Sequence, residues 1–179
     1  EAVRTLLAQY GCTAVLCTAT QPALRPFLGL EMKELCPRIE EQFAFFSRVT
    51  FDVRQERCAP DVLAEEIAHR PQALVVVNSK RMARQLYEAV PEREGVFHLS
   101  TNLCAAHRTR VLTEIRSRLQ QGESCRVIST SLIEAGVDVD FPLVYRELAG
   151  LDSILQAAGR CNREGKRPKE NSIVTVFRL

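Results

Sequence analysis

The sequence is short of the features that mark whole classes of protein. No apolar run comes near the ~18 residues that cross a bilayer, and no stretch has the layout of a secretory leader, so a cytoplasmic setting without membrane contact is expected. Charge of one sign is not in excess: 24 Lys and Arg face 22 Asp and Glu, a formal +2. A basic surface for nucleic acid must then be local. Seven cysteines are present, none in a CxxC pair, and the three histidines do not cluster with them. That disfavours zinc and a disulfide framework and favours reduced thiols packed as small hydrophobes. No GxxxxGK[ST] occurs, so the backbone cradle and lysine for β- and γ-phosphates are missing. No DEAD- or DExH-like carboxylate pair is available for magnesium, and no His–Asp cluster suits a metal nuclease. No GxGxxG follows the first strand, which ranks an ordinary dinucleotide fold last.

What remains is ample for a folded domain. The chain has 179 residues, 46% apolar and 26% charged. It opens on Glu1 inside a helical pattern, with Val3, Leu6, Leu7 and Tyr10 on one face. Gly11 stops that helix, and Thr13 to Thr20 (TAVLCTAT) reads as a short buried strand. Two prolines in QPALRPFLGL break regular structure. Glu31 to Ser47 shows no clean periodicity and reads as connection.

From Arg48 strands and helices alternate. Strands are expected at Val49–Val53, Ala73–Asn78, Gly95–Ser100, Cys125–Thr130, Leu143–Leu148 and Ser172–Phe177. Helices are expected at Asp61–His69, after a Ser79 cap with Met82, Leu86 and Val90 inward, and at His107–Leu119 with its arginines mostly on a solvated face. This alternation predicts an α/β fold: a three-layer αβα domain with a mainly parallel sheet of about six strands. Ligands of such sheets sit at the carboxyl ends of the strands.

Four constellations fall there. In QAAGRCNREGK (Gln156–Lys166), a helix drawn from Leu151 to Arg163 puts Leu151, Ile154, Leu155 and Ala158 on one side. Gln156, Arg160 and Arg163 share a polar stripe on the other, flanked by Gly159. Arginine forks suit phosphate oxygens; equally, the stripe suits a solvated face paired with Glu147 or Glu164. In STSLIEAGVDVDFP (Ser129–Pro142), Thr130 reaches the sheet edge and can meet a nucleic-acid phosphate. Gly136 permits a tight turn, and Asp138 can accept from a ribose hydroxyl. Ser100 and Thr101 follow the third strand and can hold a phosphate or cap a turn. Thr18 and Thr20, in TAT, are weak alone.

In order, TAT, a strand ending VVN, S-T-x-x-x-E-x-G-x-D and Q-x-x-G-R-x-x-R resemble the later motifs of superfamily 2 helicases. STSLIEAGVDVDFPLVYRELAGLDSILQAAGRCNREG, STNLCAAHR and GCTAVLCTATQPAL look like the CRISPR-associated helicase–nuclease of type I systems. The resemblance covers nearly the whole chain.

It implies a RecA-like fold in which residues 1–29 are the tail of a first lobe, 30–47 a linker and 48–179 the second lobe. It implies ATP held with Mg2+ between lobes in a longer parent, and no cofactor bound by this piece alone. Arg163 would be the arginine finger on the γ-phosphate, with Arg160 beside it and Gln156 supporting. Gly136, Asp138 and Gly159 would lie on the nucleotide side. Ser100, Thr101 and Thr130 would meet DNA, and Thr18 and Thr20 would couple hydrolysis to strand movement. Implied partners are single-stranded DNA, the first lobe and nuclease domain of the same protein, and an RNA-guided CRISPR surveillance complex in prokaryotic antiviral defence. Ser131 departs from the glutamine usual after that threonine. Another superfamily 2 helicase, such as a repair translocase, and a degenerate docking lobe are the alternatives.

Overall fold

The computed structural model describes residues 1–17, 33–133 and 137–179. Thr18, Thr20 and Gly136 therefore lie outside the described residues. The chain divides into two compact units, Glu1–Phe45 and Phe46–Leu179.

In the first unit, α1 spans Ala2–Gln9 and α2 spans Ile39–Phe45. The second helix stands where the sequence showed no periodicity. It is short and carries Glu40 and Glu41 in its first turn, where they favour the positive end of the helix dipole. The strand expected from Thr13 is absent over Thr13–Cys17, which is irregular and exposed. A buried strand needs a neighbour on each side to take its N–H and C=O groups. None of the described residues of this unit is buried, including Val3, Leu6 and Tyr10 of the expected apolar face.

The second unit is built on a six-stranded sheet. Its strands are β1 (Thr50–Arg57), β2 (Gln72–Val76), β3 (Val96–Leu99), β4 (Cys125–Ser129), β5 (Leu143–Glu147) and β6 (Ile173–Arg178). The order is β1-β6-β5-β2-β4-β3, and all five pairings are parallel. Parallel strands need crossovers, and four helices supply them: α3 (Pro60–Ala68), α4 (Lys80–Ala89), α5 (Ala105–Gln121) and α6 (Leu151–Ala158).

Alternation along each strand divides the core in two. Leu74, Val76, Val127, Val144 and Val174 meet Ile115 of α5 and Ala157 and Ala158 of α6. Ala73, Val75, Ile128, Tyr145 and Phe177 meet Leu63, Ala64 and Ile67 of α3 and Ala83 and Leu86 of α4. With both faces covered, β2 and β4 are buried along their whole length, including the apolar run Ala73–Val76 of β2 and also Arg126 of β4, whose Nε donates to the Arg70 carbonyl at 2.7 Å. Ser79 caps α4, its Oγ accepting from the Met82 amide at 3.1 Å. Gly122, left-handed at φ 73°, ends α5.

Two local expectations change. Helix α6 ends at Ala158 rather than Arg163, and its buried residues are Ile154, Ala157 and Ala158, while Leu151 and Leu155 are exposed. Cys125 and Cys161 are core thiols and Cys58 is half-buried, but Cys12, Cys17, Cys36 and Cys104 are exposed. Burial pushes the Cys125 and Cys161 thiols up to about 12, so both stay protonated.

Candidate functional site

The chain leaves β4 on one side of β2 and re-enters the sheet as β5 on the other. In α/β sheets this crossing is where ligands bind, beyond the carboxyl ends of the strands. Leu99 and Ser129 are register partners, so Ser100 and Thr130 emerge side by side. The Thr130 amide donates to the Leu99 carbonyl at 3.2 Å. Ser100 is fully buried and its Oγ accepts from the Asn102 amide at 3.4 Å, while Thr101 is exposed. Lys80 Nζ donates to Asn102 Oδ1 at 3.2 Å and adds a cation to this edge. Asn78, one strand over, accepts from Arg146 Nη1 at 2.8 Å and donates its amide to Glu147 Oε2 at 2.6 Å.

The arginine stretch is a helix end followed by a loop, not a helical stripe. Gln156 is exposed on α6. Gly159 closes the helix with right-handed dihedrals, so no special backbone demands glycine; a Cβ there would sit 3.3 Å from the Gln156 carbonyl. Arg160 turns inward, 8% exposed, and its Nε donates to the Ile133 carbonyl at 3.1 Å. It thereby ties α6 to the segment leaving β4. Arg163 turns outward, and its Nε lies 2.8 Å from Asp138 Oδ1. The pair is open to solvent, with side chains 43% and 80% exposed. Arg163 thus pairs with Asp138, not with Glu147 or Glu164. Glu164 pairs with Lys166.

Beneath Arg163 the backbone is held from several directions. Phe141 donates to the Arg160 carbonyl at 2.8 Å, and the Asn162 amide donates back to the Phe141 carbonyl at 3.0 Å. Phe141 and Cys161 form a parallel bridge, and the Cys161 thiol donates to the Pro142 carbonyl at 3.3 Å. Asn162 is 1% exposed and left-handed at φ 48°. Its Nδ2 donates to the carbonyls of Arg48 (3.0 Å) and Arg167 (2.8 Å), and its Oδ1 accepts from the Arg167 amide at 3.0 Å. Asp140 Oδ1 accepts from the Arg163 amide at 2.8 Å, and its Oδ2 lies 3.1 Å from Arg167 Nη1. Arg48 Nη1 donates to the Arg163 carbonyl at 2.6 Å. Gly165, left-handed at φ +65°, passes so close to Arg48 that a Cβ would sit 3.3 Å from its Nε.

The sequence pattern points to Arg163, Arg160 and Asp138 and assigns no chemistry to Asn162, Arg48, Arg167 or Asp140. Asn162 carried a signal: asparagine tolerates φ > 0 better than most residues and stands between arginines in a loop. Arg48 carried none, since it lies 115 residues away in the chain from the carbonyl it holds.

The family model of the CRISPR-associated nuclease/helicase Cas3, C-terminal part, matches residues 69–166. The chain belongs to this family. The CRISPR-associated nuclease/helicase Cas3 of Methanothermobacter thermautotrophicus is 27% identical over 149 residues, 83% of this chain and 17% of that protein. The chain thus spans about a sixth of that relative's length. T. fusca Cas3 has the same fold, with a TM-score of 0.59 and 18% identity over 74% of this chain and 18% of that one. A DNA-bound helicase, MrfA, gives 0.57 and 20% over 72% of this chain and 20% of its own. The sheet unit accordingly has the RecA-like α/β fold of the Cas3 structures, with a parallel sheet as the sequence predicts.

Proposed function

We propose that this chain is the second RecA-like lobe of an ATP-dependent single-stranded DNA translocase acting in type I CRISPR interference. Its Arg163 serves as the arginine finger. The observation that carries this reading is the contrast within one loop: the Arg163 backbone is held at both its amide and its carbonyl by side chains from other parts of the chain, while its guanidinium stands in solvent against an exposed carboxylate. A cation built this way is held in place yet free to change partners. An exposed ion pair is worth only ~0.2–1 kcal/mol, so a polyphosphate outbids Asp138 without disturbing the fold.

The residues present fit one wall of an ATP site. Arg163 would face the γ-phosphate, Asp138 and Gly136 the ribose side, and Gln156 and Gly159 the approach along α6. Arg160 serves from behind, holding the loop through Ile133. The phosphate loop and the Mg2+ ligands would come from the first lobe of the longer protein, where the bound nucleotide supplies the phosphoryl group for hydrolysis. Thr18 and Thr20, in the tail of that lobe, would couple hydrolysis to movement.

DNA would track the carboxyl edge at the exposed Thr101, with Lys80 adding charge; Thr130, 8% exposed, would offer only its edge, and the fully buried Ser100 sets the turn instead of meeting the strand. The solved MrfA structure is a DNA-bound helicase of this fold, which supports such a surface. Contacts would be to the backbone, and the isolated chain's affinity would be weak and salt-dependent. The longer protein would also carry a nuclease domain and be recruited by an RNA-guided surveillance complex in the cytoplasm. Alone, this chain hydrolyses no ATP and cuts no DNA, because the other half of the site lies elsewhere. Turnover by the purified chain that disappears in Arg163→Ala would refute this. In the longer protein, Arg163→Ala abolishes DNA-stimulated hydrolysis and leaves DNA affinity near normal; unchanged hydrolysis would favour a docking lobe instead.

A further inference from the structure

We infer that Asp140, Asn162 and Arg48 are positioning residues for Arg163, forming a clamp that fixes the finger's backbone while its side chain stays mobile. The inference rests on the reading of Arg163 above. Its geometry stands apart from that reading. The peptide groups flanking Arg163 are held on both sides: the amide by Asp140 Oδ1 at 2.8 Å, the carbonyl by Arg48 Nη1 at 2.6 Å. The residue before it, Asn162, makes three side-chain hydrogen bonds and is 1% exposed. These contacts join three remote parts of the chain, namely the segment before β1, the segment before β5 and the loop after α6.

No bond of the clamp touches the Arg163 guanidinium. Together the two bonds fix the Cα from which the side chain extends. For a finger this has consequence. Its Nε and Nη atoms reach a transferring phosphoryl group only from a fixed Cα, and a shift of about 1 Å in such placement costs on the order of 100-fold in rate. Asp140 suits the task because it is mostly buried, with its side chain 15% exposed, and is balanced by Arg167 at 3.1 Å. Its charge is thus neutralised behind the loop and does not compete for the guanidinium, as Asp138 does.

The clamp is tested in the longer protein by steady-state, DNA-stimulated ATP hydrolysis. Asp140→Ala is expected to lower kcat about 10–100-fold with KM for ATP within about twofold, because placement rather than binding is lost. Asp140→Asn restores most of the rate, since its carbonyl oxygen still accepts from the Arg163 amide. Combined with Arg163→Ala, Asp140→Ala adds no further loss beyond about twofold, because residues acting as a unit are non-additive. Arg48→Met, which removes the carbonyl-side bond outside the core, repeats this pattern more mildly and serves if Asp140→Ala melts early. Additive losses overturn the clamp, as does an unchanged kcat in both Asp140→Ala and Arg48→Met when Arg163→Ala is inactive. Normal hydrolysis by Arg163→Ala overturns the finger itself, and the clamp with it.

Discussion

Of the arginine–carboxylate pairs in the sheet domain, two are built in opposite ways. At one edge, Arg54 of β1 donates both Nη groups to Glu66 of α3, at 2.8 and 2.7 Å. Tyr145 of β5 donates to the same carboxylate at 2.9 Å, and the Arg54 guanidinium lies 5.9 Å over its ring. There the side chains are fixed. At the carboxyl edge, Arg163 has the reverse arrangement: a fixed backbone and a side chain that, among the described residues, meets a single carboxylate in solvent. A fork closed on its partner, stacked and half-buried, has nothing left to offer a ligand. A fork left open over a rigid backbone has its cost of placement already met. The difference separates an arginine that joins β1 to α3 from one suited to a phosphate.

The largest effect expected from this contrast is on catalysis. Arg163→Ala in the longer protein should lower DNA-stimulated ATP hydrolysis by ~10³–10⁵, the range for arginine fingers. Its melting temperature should stay within error of the parent, because the guanidinium is exposed. A stability loss comparable to the activity loss would erase the distinction between the clusters. Arg54→Ala should do the converse. Losing a bidentate, partly buried pair is expected to cost about 1–2 kcal/mol of stability in denaturant melts, with kcat unchanged.

How much of this was visible in the sequence differs between the two ends of the chain. The alternation from Val49 to Phe177 fixes a parallel sheet because continuous runs such as ALVVV can be buried only between two helical layers. The same kind of run at Thr13–Cys17 is exposed and irregular, since apolar pattern describes what a segment can bury and not whether a second layer is present to bury it. Within the site, Arg163 and Asp138 were legible as residue types that suit phosphate and ribose. The helix drawn through them was not correct: Gly159 and the left-handed Asn162 end the periodicity. Arg160 and Arg163 looked equivalent at 100° per residue. They diverge because one guanidinium meets the Ile133 carbonyl and the other meets solvent, a difference set by a segment some thirty residues away. Asp140 and Arg48 act on backbone atoms, and no side-chain pattern encodes that.

A smaller effect probes the open side of Arg163. Asp138→Asn should leave kcat close to the parent and raise KM for ATP about fivefold, the loss of about 1 kcal/mol from one hydrogen bond to the ribose side. Lowered KM would show instead that Asp138 acts only as a competitor for the guanidinium, and would sharpen the view of the pair as a resting contact. Either result separates Asp138 from Asp140, whose loss is expected in kcat.

The smallest effect lies in acid and concerns the closed cluster. Hydrogen bonds from Arg54 hold the Glu66 carboxyl below its ordinary range, with the Tyr145 hydroxyl and the nearby charge of Arg70 acting in the same direction against partial burial. Because the folded value is depressed, the linked stability is fully present above the unfolded carboxylate value of about 4.3 and is lost as pH falls through the folded value. Melting temperatures of the sheet domain's parent and of Glu66→Gln, followed from about pH 7 down to pH 3, should therefore start apart and converge below about pH 4. Melting curves of the parent and Glu66→Gln that stay equally far apart down to pH 3 would show that the Glu66 carboxylate is not what Arg54 and Tyr145 hold in this closed cluster.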